Sequence, residues 1–236
     1  MSNIRLYYSN SIIEKTTSLL TKEHTHYVIN VMRLKRGSNI NFFNQEGEWV
    51  SEIVFLEKDR VEVKFLNKVK QPFKNSNIEL AICLVKKNPM EMILQKATEL
   101  GVSKITPIIS ERTEIKDLNY ERAKKIIIEA TEQSNQLSPP EISKMIKLND
   151  FLKNLNGSTK LFFADINCKV GLKKEDVKDK NLKTLLIGPE GDFSPDERKM
   201  ILENNNTISF SLSKNILRTE TATISALSLI NYSLDL

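Results

Sequence analysis

From Ile78 onward the chain alternates apolar runs of strand length with helical stretches, and no other feature limits its folding as tightly. Ile78 to Val85 reads as a strand, Pro89 to Leu100 as a helix opened by proline and closed by Gly101, and Lys104 to Ile109 as a second strand. Strands joined through a helix return parallel, because only a hairpin turn reverses direction cheaply. Tyr120 to Gln136 is a further helix, and Lys160 to Ala164, Leu182 to Ile187 and Thr207 to Leu212 are further strands. Ser194-Pro-Asp-Glu197 carries a cap, a proline at the first helical position and a reciprocating Glu, so a helix starts there. The expected class is α/β, with a mainly parallel sheet covered by helices.

The N-terminal third follows a different rule. Ile40 to Phe43, Trp49 to Phe55 and Val61 to Val69 are rich in β-branched and aromatic residues, and Gln45 to Gly47 and Glu57 to Arg60 separate them as turns. A small sheet or barrel is expected, with a short helix over His26 to Arg33 packed on it and ended by Gly37. The polar, proline-bearing stretch Gln71 to Asn77 sets the expected domain boundary, giving domains 1–73 and 74–236.

Composition removes several chemistries. His24 and His26 are the only imidazoles, so a histidine-rich metal site or a histidine-based triad has little to draw on. Cys83 and Cys168 lie far apart and outside any C-x-x-C pattern, and both are expected to act as small core residues. No metal is expected. The longest wholly apolar run, Leu80 to Val85, falls far short of the roughly 18 residues of a spanning helix, and the polar start is no signal peptide. A cytoplasmic protein without membrane contact is the expectation. The first 75 residues hold 12 basic and 8 acidic side chains, which places most of the chain's net +5 there and permits a polyanionic partner.

Only seven glycines occur in 236 residues, so two within Gly188-Pro-Glu-Gly191, between an apolar strand and a capped helix, mark a backbone that needs freedom. That place, outside the carboxyl end of a parallel strand, is where open α/β sheets bind ligands; the segment alone leaves a plain tight turn equally open. Neither phosphate-cradling glycine motif occurs. Leu217-Arg-Thr-Glu-Thr-Ala222 enters a C-terminal helix, with Thr219 or Thr221 as its expected cap and Arg218 and Glu220 at the junction. An exposed ion pair is the plain reading of those two charges. Glu132-Gln-Ser134 reads as a solvated helix end.

Six segments in order resemble one family, the RsmE-type ribosomal RNA methyltransferases of the SPOUT superfamily. They are His26-Tyr-Val-Ile-Asn-Val-Met-Arg33, Met92 to Gly101, Ile105-Thr-Pro-Ile-Ile-Ser-Glu-Arg112, Glu132-Gln-Ser134 with Pro140-Glu141, Leu185-Leu-Ile-Gly-Pro-Glu-Gly191, and Ile216-Leu-Arg-Thr-Glu-Thr-Ala222. The last two are the most specific. The resemblance implies an N-terminal PUA-like β-barrel for RNA and a C-terminal α/β domain with a deep trefoil knot. It also implies a homodimer through the knot, S-adenosyl-L-methionine as cofactor, and methylation at N3 of one uridine in 16S rRNA of the small subunit.

Carried onto this chain, the resemblance places the cofactor against Ala164 and the loop after it, against Ile187, Gly188, Pro189, Glu190 and Gly191, and against Leu212, Ser213, Ile216, Leu217, Thr221 and Ala222. Arg218 and Glu220 are the expected catalytic pair, placing or polarising the uracil, and Arg33, Lys35, Arg36 and Arg112 the expected RNA contacts. Uracil N3 lies on the pairing edge, so the base must be unpaired or extruded before it reacts. Three departures stand out. The family usually has glycine where this chain has Asp192, commonly an arginine near Asn135-Gln-Leu137, and frequently a basic residue at Asn30. Asp tolerates turn conformations better than most residues, so the loop is expected to survive with altered shape. Two other readings stay open: an RNA-binding ribosome-assembly factor without turnover, and a knotted methyltransferase with another rRNA target.

Overall fold

The computed structural model describes residues 4–72, 77–178 and 181–234. The chain divides into two compact units, one comprising residues 1–74 and 131–138, the other 75–130 and 139–236. The boundary expected at residues 73 and 74 lies outside the described residues.

In the first unit, β1 (Arg5–Tyr7), β2 (Thr17–Leu19), α1 (Lys22–His26), β3 (Asn39–Asn44), β4 (Gly47–Glu57) and β5 (Arg60–Lys70) follow in order. The sheet order is β1-β3-β4-β5-β2, with β1 parallel to β3 and the other pairs antiparallel. Three register shifts between β4 and β5 bend that ribbon. The edge strands close through side chains: Tyr8, just past β1, stacks edge-on against Phe65 of β5 at 5.5 Å, and its hydroxyl lies 2.7 Å from that of Ser18 in β2. Ile40, Phe42, Ile53, Val61 and Val63 fill the interior, with Val28 covering them.

The helix expected over His26 to Arg33 is displaced. Thr21 caps α1, accepting from the His24 N–H at 3.2 Å, and Tyr27–Val31 then continue as one π turn. The chain leaves through Arg33, not Gly37: the Leu34 N–H reaches back to the Val28 carbonyl at 3.0 Å, and Arg33 takes a left-handed φ of 51°. An αL residue closing a helix is commonly glycine, so a pattern search that looks for glycine passes over Arg33.

In the second unit, β6 (Ile78–Cys83), α2 (Lys87–Glu99), β7 (Lys104–Ile109) and α3 (Tyr120–Gln133) come first. The short β8 (Glu141–Ile142), β9 (Ile146–Lys147) and α4 (Leu148–Lys153) follow, all three missed in the sequence, where two-residue strands carry no period to read. Then come β10 (Lys160–Ala164), α5 (Lys174–Val177), β11 (Lys183–Ile187), α6 (Pro195–Glu203), β12 (Thr207–Phe210) and α7 (Thr219–Ser233). The sheet runs β12-β10-β11-β6-β7-β8, with β9 also on β7, and every pairing is parallel.

Alternation along the strands feeds two cores. Ile78, Leu80 and Ile82 of β6 join Phe162, Leu185 and Ile187 beneath α2, α3 and α7. Ala81 and Cys83 of the same strand join Leu161, Phe163 and Leu186 on the other face, with Phe151 of α4 and Ile201 of α6. Burial on both faces explains the unbroken apolar runs that marked these strands. Cys83 is fully buried as expected, whereas Cys168 is only partly so, its Sγ 3.5 Å from the Ser209 carbonyl in the loop after β10. That loop lies outside the strand register, so no core position holds it.

Residues 131–138, the last turn of α3 and the segment after it, belong to the first unit. Arg5 donates to the carbonyls of Glu132 and Gln136, each at 2.8 Å, while the Glu132 carboxylate accepts from the Tyr7 N–H at 2.9 Å. Lys70 donates to the Asn135 carbonyl at 2.7 Å, with Asn135 at a φ of 62°. Glu132-Gln-Ser134 is therefore no solvated helix end. The orphan carbonyls at the end of α3 find a guanidinium in place of water.

Candidate functional site

One pocket opens at the carboxyl ends of β10, β11 and β12, and each of the three contributes the loop that follows it. The loop after β11 is shaped by packing. A Cβ on Gly188 would stand 3.0 Å from the Phe193 ring, so the absent side chain lets Phe193 turn inward against Phe163, 5.6 Å away. The Asp192 N–H closes the turn onto the Pro189 carbonyl at 3.0 Å, and Asp192 itself sits at a φ of 57°. The residue that departs from the family glycine thus occupies a left-handed position that Asp tolerates.

The first turn of α6 gathers the neighbouring loops. Ser194 and Glu197 form the expected capping box; the other Glu197 oxygen accepts from the Glu111 N–H at 2.7 Å, in the loop after β7. Beside it, Arg112 donates to the Gly191 carbonyl at 3.1 Å. Arg198 grips the buried Asp165 carboxylate of the loop after β10, and this hydrogen bonding raises the guanidinium above its ordinary value despite burial.

The loop after β12 leads into α7, whose cap differs from expectation. Arg218 is the N-cap residue and makes no side-chain cap bond, so neither Thr219 nor Thr221 caps the helix. The Thr219 hydroxyl points to the Gly188 carbonyl, 3.5 Å away, tying the start of α7 to the loop after β11.

The structure brings together most of the expected cofactor residues. Ala164 lines the pocket from β10, Ile187, Gly188, Pro189 and Glu190 from β11 and its loop, and Leu212, Ser213, Ile216, Leu217 and Ala222 from the third segment. Gly191 and Thr221 stand outside the lining: both are exposed, Gly191 turned to Arg112 and Thr221 on the outer side of α7. Asp165 and Ile166 of the loop after Ala164, Asp192 just past the glycine pair, and Lys214, Asn215 and Thr219 within the third segment also line it. Ser211, one residue before Leu212, is the lining residue that sequence reasoning passed over, since nothing in its own type marks it.

Arg218 and Glu220 flank the pocket without lining it. Arg218 is exposed and has no ion pair among the described residues, so the expected pairing with Glu220 is absent. Glu220 is half-buried in the first turn of α7, where a helix N-terminus favours negative charge. Arg33, Lys35 and Arg36 are exposed together in the first unit, and Arg112 is exposed in the second. Burial pushes the Cys83 thiol up to about 12, which keeps it protonated and unreactive. His26 is exposed and pairs with Asn30, while His24 packs edge-on against Phe42 at 5.8 Å. Among the described residues no cluster of three or more His, Cys, Asp or Glu side chains is placed to hold a metal, and no helix is long and apolar enough to cross a membrane.

Comparison with known proteins agrees with this geometry. Residues 71–231 match the family model of the RNA methyltransferase domain, and residues 20–66 match that of the RNA methyltransferase PUA domain. The chain is 34% identical over 233 residues to ribosomal RNA small subunit methyltransferase E of Rickettsia conorii, covering 94% of this chain and 93% of that protein. It is 30% identical over 245 residues to the Bacillus subtilis protein of the same name, covering 95% and 93%. Two solved structures superpose with a TM-score of 0.89. One is a Legionella pneumophila protein in complex with the bound cofactor SAM, at 30% identity over 99% of this chain and 98% of that one. The other is ribosomal RNA small subunit methyltransferase E of Neisseria gonorrhoeae bound to S-adenosyl methionine, at 28% identity over 98% and 97%. With a family model matched across most of its length and relatives aligned nearly end to end, the chain belongs to the ribosomal RNA small subunit methyltransferase E family.

Proposed function

We propose that this protein methylates N3 of a uridine in 16S rRNA of the small ribosomal subunit, using S-adenosyl-L-methionine held in the pocket at the ends of β10, β11 and β12. The observation that carries the reading is the convergence of three strand-end loops on one pocket lined by ten of the twelve expected cofactor residues. The residues suit that cofactor. Ile187, Leu212, Leu217 and Ala222 offer apolar walls to an adenine, and Glu190 and Asp192 offer carboxylates to a cationic ligand. When bound, the cofactor supplies an electrophilic methyl on a sulfonium.

The chain's own residues then have positional tasks. Arg218, exposed and unpaired at the start of α7, and Glu220, in its first turn, are placed to orient uracil and to favour loss of its N3 proton. Arg33, Lys35 and Arg36 are free to meet phosphates, and Arg112 reaches them with the donors that Gly191 leaves unused. Residues 1–73 serve as the RNA-binding domain and 74–236 as the methyltransferase domain, a division supported by the matched ranges 20–66 and 71–231. The trefoil knot is read from the family resemblance carried by Leu185 to Gly191 and Ile216 to Ala222. A homodimer completes the reading, supported by Leu229 and Tyr232, 41% and 73% exposed on α7, and a cytoplasmic place follows from ribosomal RNA as the substrate. Light scattering would return twice the chain mass.

The test is to incubate the protein with labelled cofactor and small subunits from cells lacking the gene, then digest the rRNA and identify the labelled nucleoside. N3-methyluridine is the expected product. Another labelled nucleoside would move the target, and no label despite binding of cofactor and subunit would favour an assembly factor.

A further inference from the structure

Asp192 is the residue at which this chain adds something to the pocket. Where the family motif usually ends in glycine, the loop keeps a left-handed φ of 57° and gains a carboxylate that lines the cavity. Its Oδ1 lies 3.6 Å from where a Cβ on Gly188 would stand, against the inner side of the loop. Four charged residues line the pocket, and they are not equivalent. Asp165 is engaged by Arg198 through both its oxygens. Glu190 and Lys214 are exposed. Asp192 is half-buried, and its side chain makes no hydrogen bond or ion pair among the described residues, although Arg198 also feels its field. Arg112, on the Gly191 carbonyl, is a further cation beside the loop. A partly buried carboxylate without a partner interacts with a bound charge more strongly than an exposed one.

The cofactor carries a sulfonium, an ammonium and a carboxylate, for a net charge of +1. When uracil N3, its proton surrendered, takes the methyl, the carbon–sulfur bonding pair stays on sulfur and the bound molecule becomes a thioether of net charge zero. Resting on the cofactor reading of this pocket, we propose that Asp192 is a specificity-determining residue that favours cationic S-adenosylmethionine over its neutral product, S-adenosylhomocysteine. The attraction disappears with the sulfonium charge, so the same carboxylate that helps load the cofactor does not retain the product.

The experiment is calorimetric titration of the full-length protein, and of Asp192→Asn and Asp192→Gly, with each of the two compounds at low and at physiological salt. Asn keeps a short polar side chain that accepts a left-handed φ, and Gly accepts it freely, so both variants remove charge without forcing the turn. Thermal melts confirm that each is folded. Both variants are expected to bind S-adenosylmethionine about three- to tenfold more weakly, with S-adenosylhomocysteine unchanged within about twofold, and the wild-type preference to shrink as salt rises. Parallel weakening of both compounds would assign Asp192 a loop-shaping role and overturn the proposal, as would no change in either. Wild-type protein that binds neither compound would instead overturn the cofactor reading and the proposal with it.

Discussion

Arg198 holds both carboxylate oxygens of Asp165, Nη2 to Oδ2 at 2.7 Å and Nε to each oxygen at 3.1 to 3.2 Å, with the Asp165 side chain 1% exposed and that of Arg198 33%. The pair ties the loop after β10 to the helix that follows the loop after β11. Two walls of the pocket are thereby fixed relative to each other by one contact. Such a pair adds little net stability over an apolar one, but losing one partner strands a buried charge.

Arg198→Met is therefore expected to destabilise the protein by about 2 kcal/mol, below the roughly 3 to 5 kcal/mol seen for fully buried pairs because Arg198 itself is partly solvated. It should also be less stable than the Asp165→Asn/Arg198→Met double variant, in which no charge is stranded. Urea unfolding of the two variants checks this; equal stabilities would show that the stranded charge does not matter.

The two glycines of the loop after β11 predict opposite outcomes. A Cβ on Gly188 meets Phe193 at 3.0 Å, whereas one on Gly191 finds its nearest neighbour, the Arg112 Cβ, at 3.7 Å. Gly188→Ala should cost about 1 to 2 kcal/mol as the ring is pushed from its seat on Phe163. Gly191→Ala should stay within about 0.5 kcal/mol of wild type. Thermal denaturation of the pair decides, and equal costs would mean that Phe193 yields freely.

Arg33 closes its helix at a φ of 51°, a conformation that costs a residue with a Cβ roughly 1 kcal/mol. Arg33→Gly is expected to raise stability by up to about that amount while weakening binding to rRNA and lowering the salt slope by about one. Filter binding across a salt series would detect the loss, and unchanged affinity would remove Arg33 from the RNA surface.

His24 introduces a pH dependence. Burial lowers its imidazole below the ordinary 6.5, with Glu23 and a hydrogen bond to the Tyr7 backbone opposing, and its Nδ1 is buried without a partner. The unfolded chain therefore takes up a proton below pH 6.5 more readily than the folded one. Stability contributed by neutral His24 is present above that pH and is lost as pH falls towards and through the folded value. Equilibrium unfolding between pH 7.5 and about 5 should show a steeper loss for wild type than for His24→Gln; identical slopes would exclude His24 as the source.

Much of the second unit was legible because a parallel sheet is buried on both faces. Ile78 to Cys83 and Lys183–Ile187 read as apolar runs for the same reason that one strand feeds two cores. The capping box at Ser194 was legible because its chemistry is local, spanning four residues. The pocket was approached through the glycine pair and the segment Leu217 to Ala222, since rare residues at a strand end leave a mark in the chain itself.

What the sequence determined by itself were properties set by neighbours along the chain: strand and helix order, the cap of α6, and the left-handed tolerance of Asp192. The tertiary structure decided what depends on residues far apart. Arg5 takes up the carbonyls of Glu132 and Gln136 across more than 120 positions, turning an apparent solvated helix end into part of the first unit. Asp165 acquires its counter-ion 33 residues away, and Thr219 turns from helix cap to tether on Gly188. Such pairings leave no periodicity to read, because a hydrogen bond requires only that two groups meet in space.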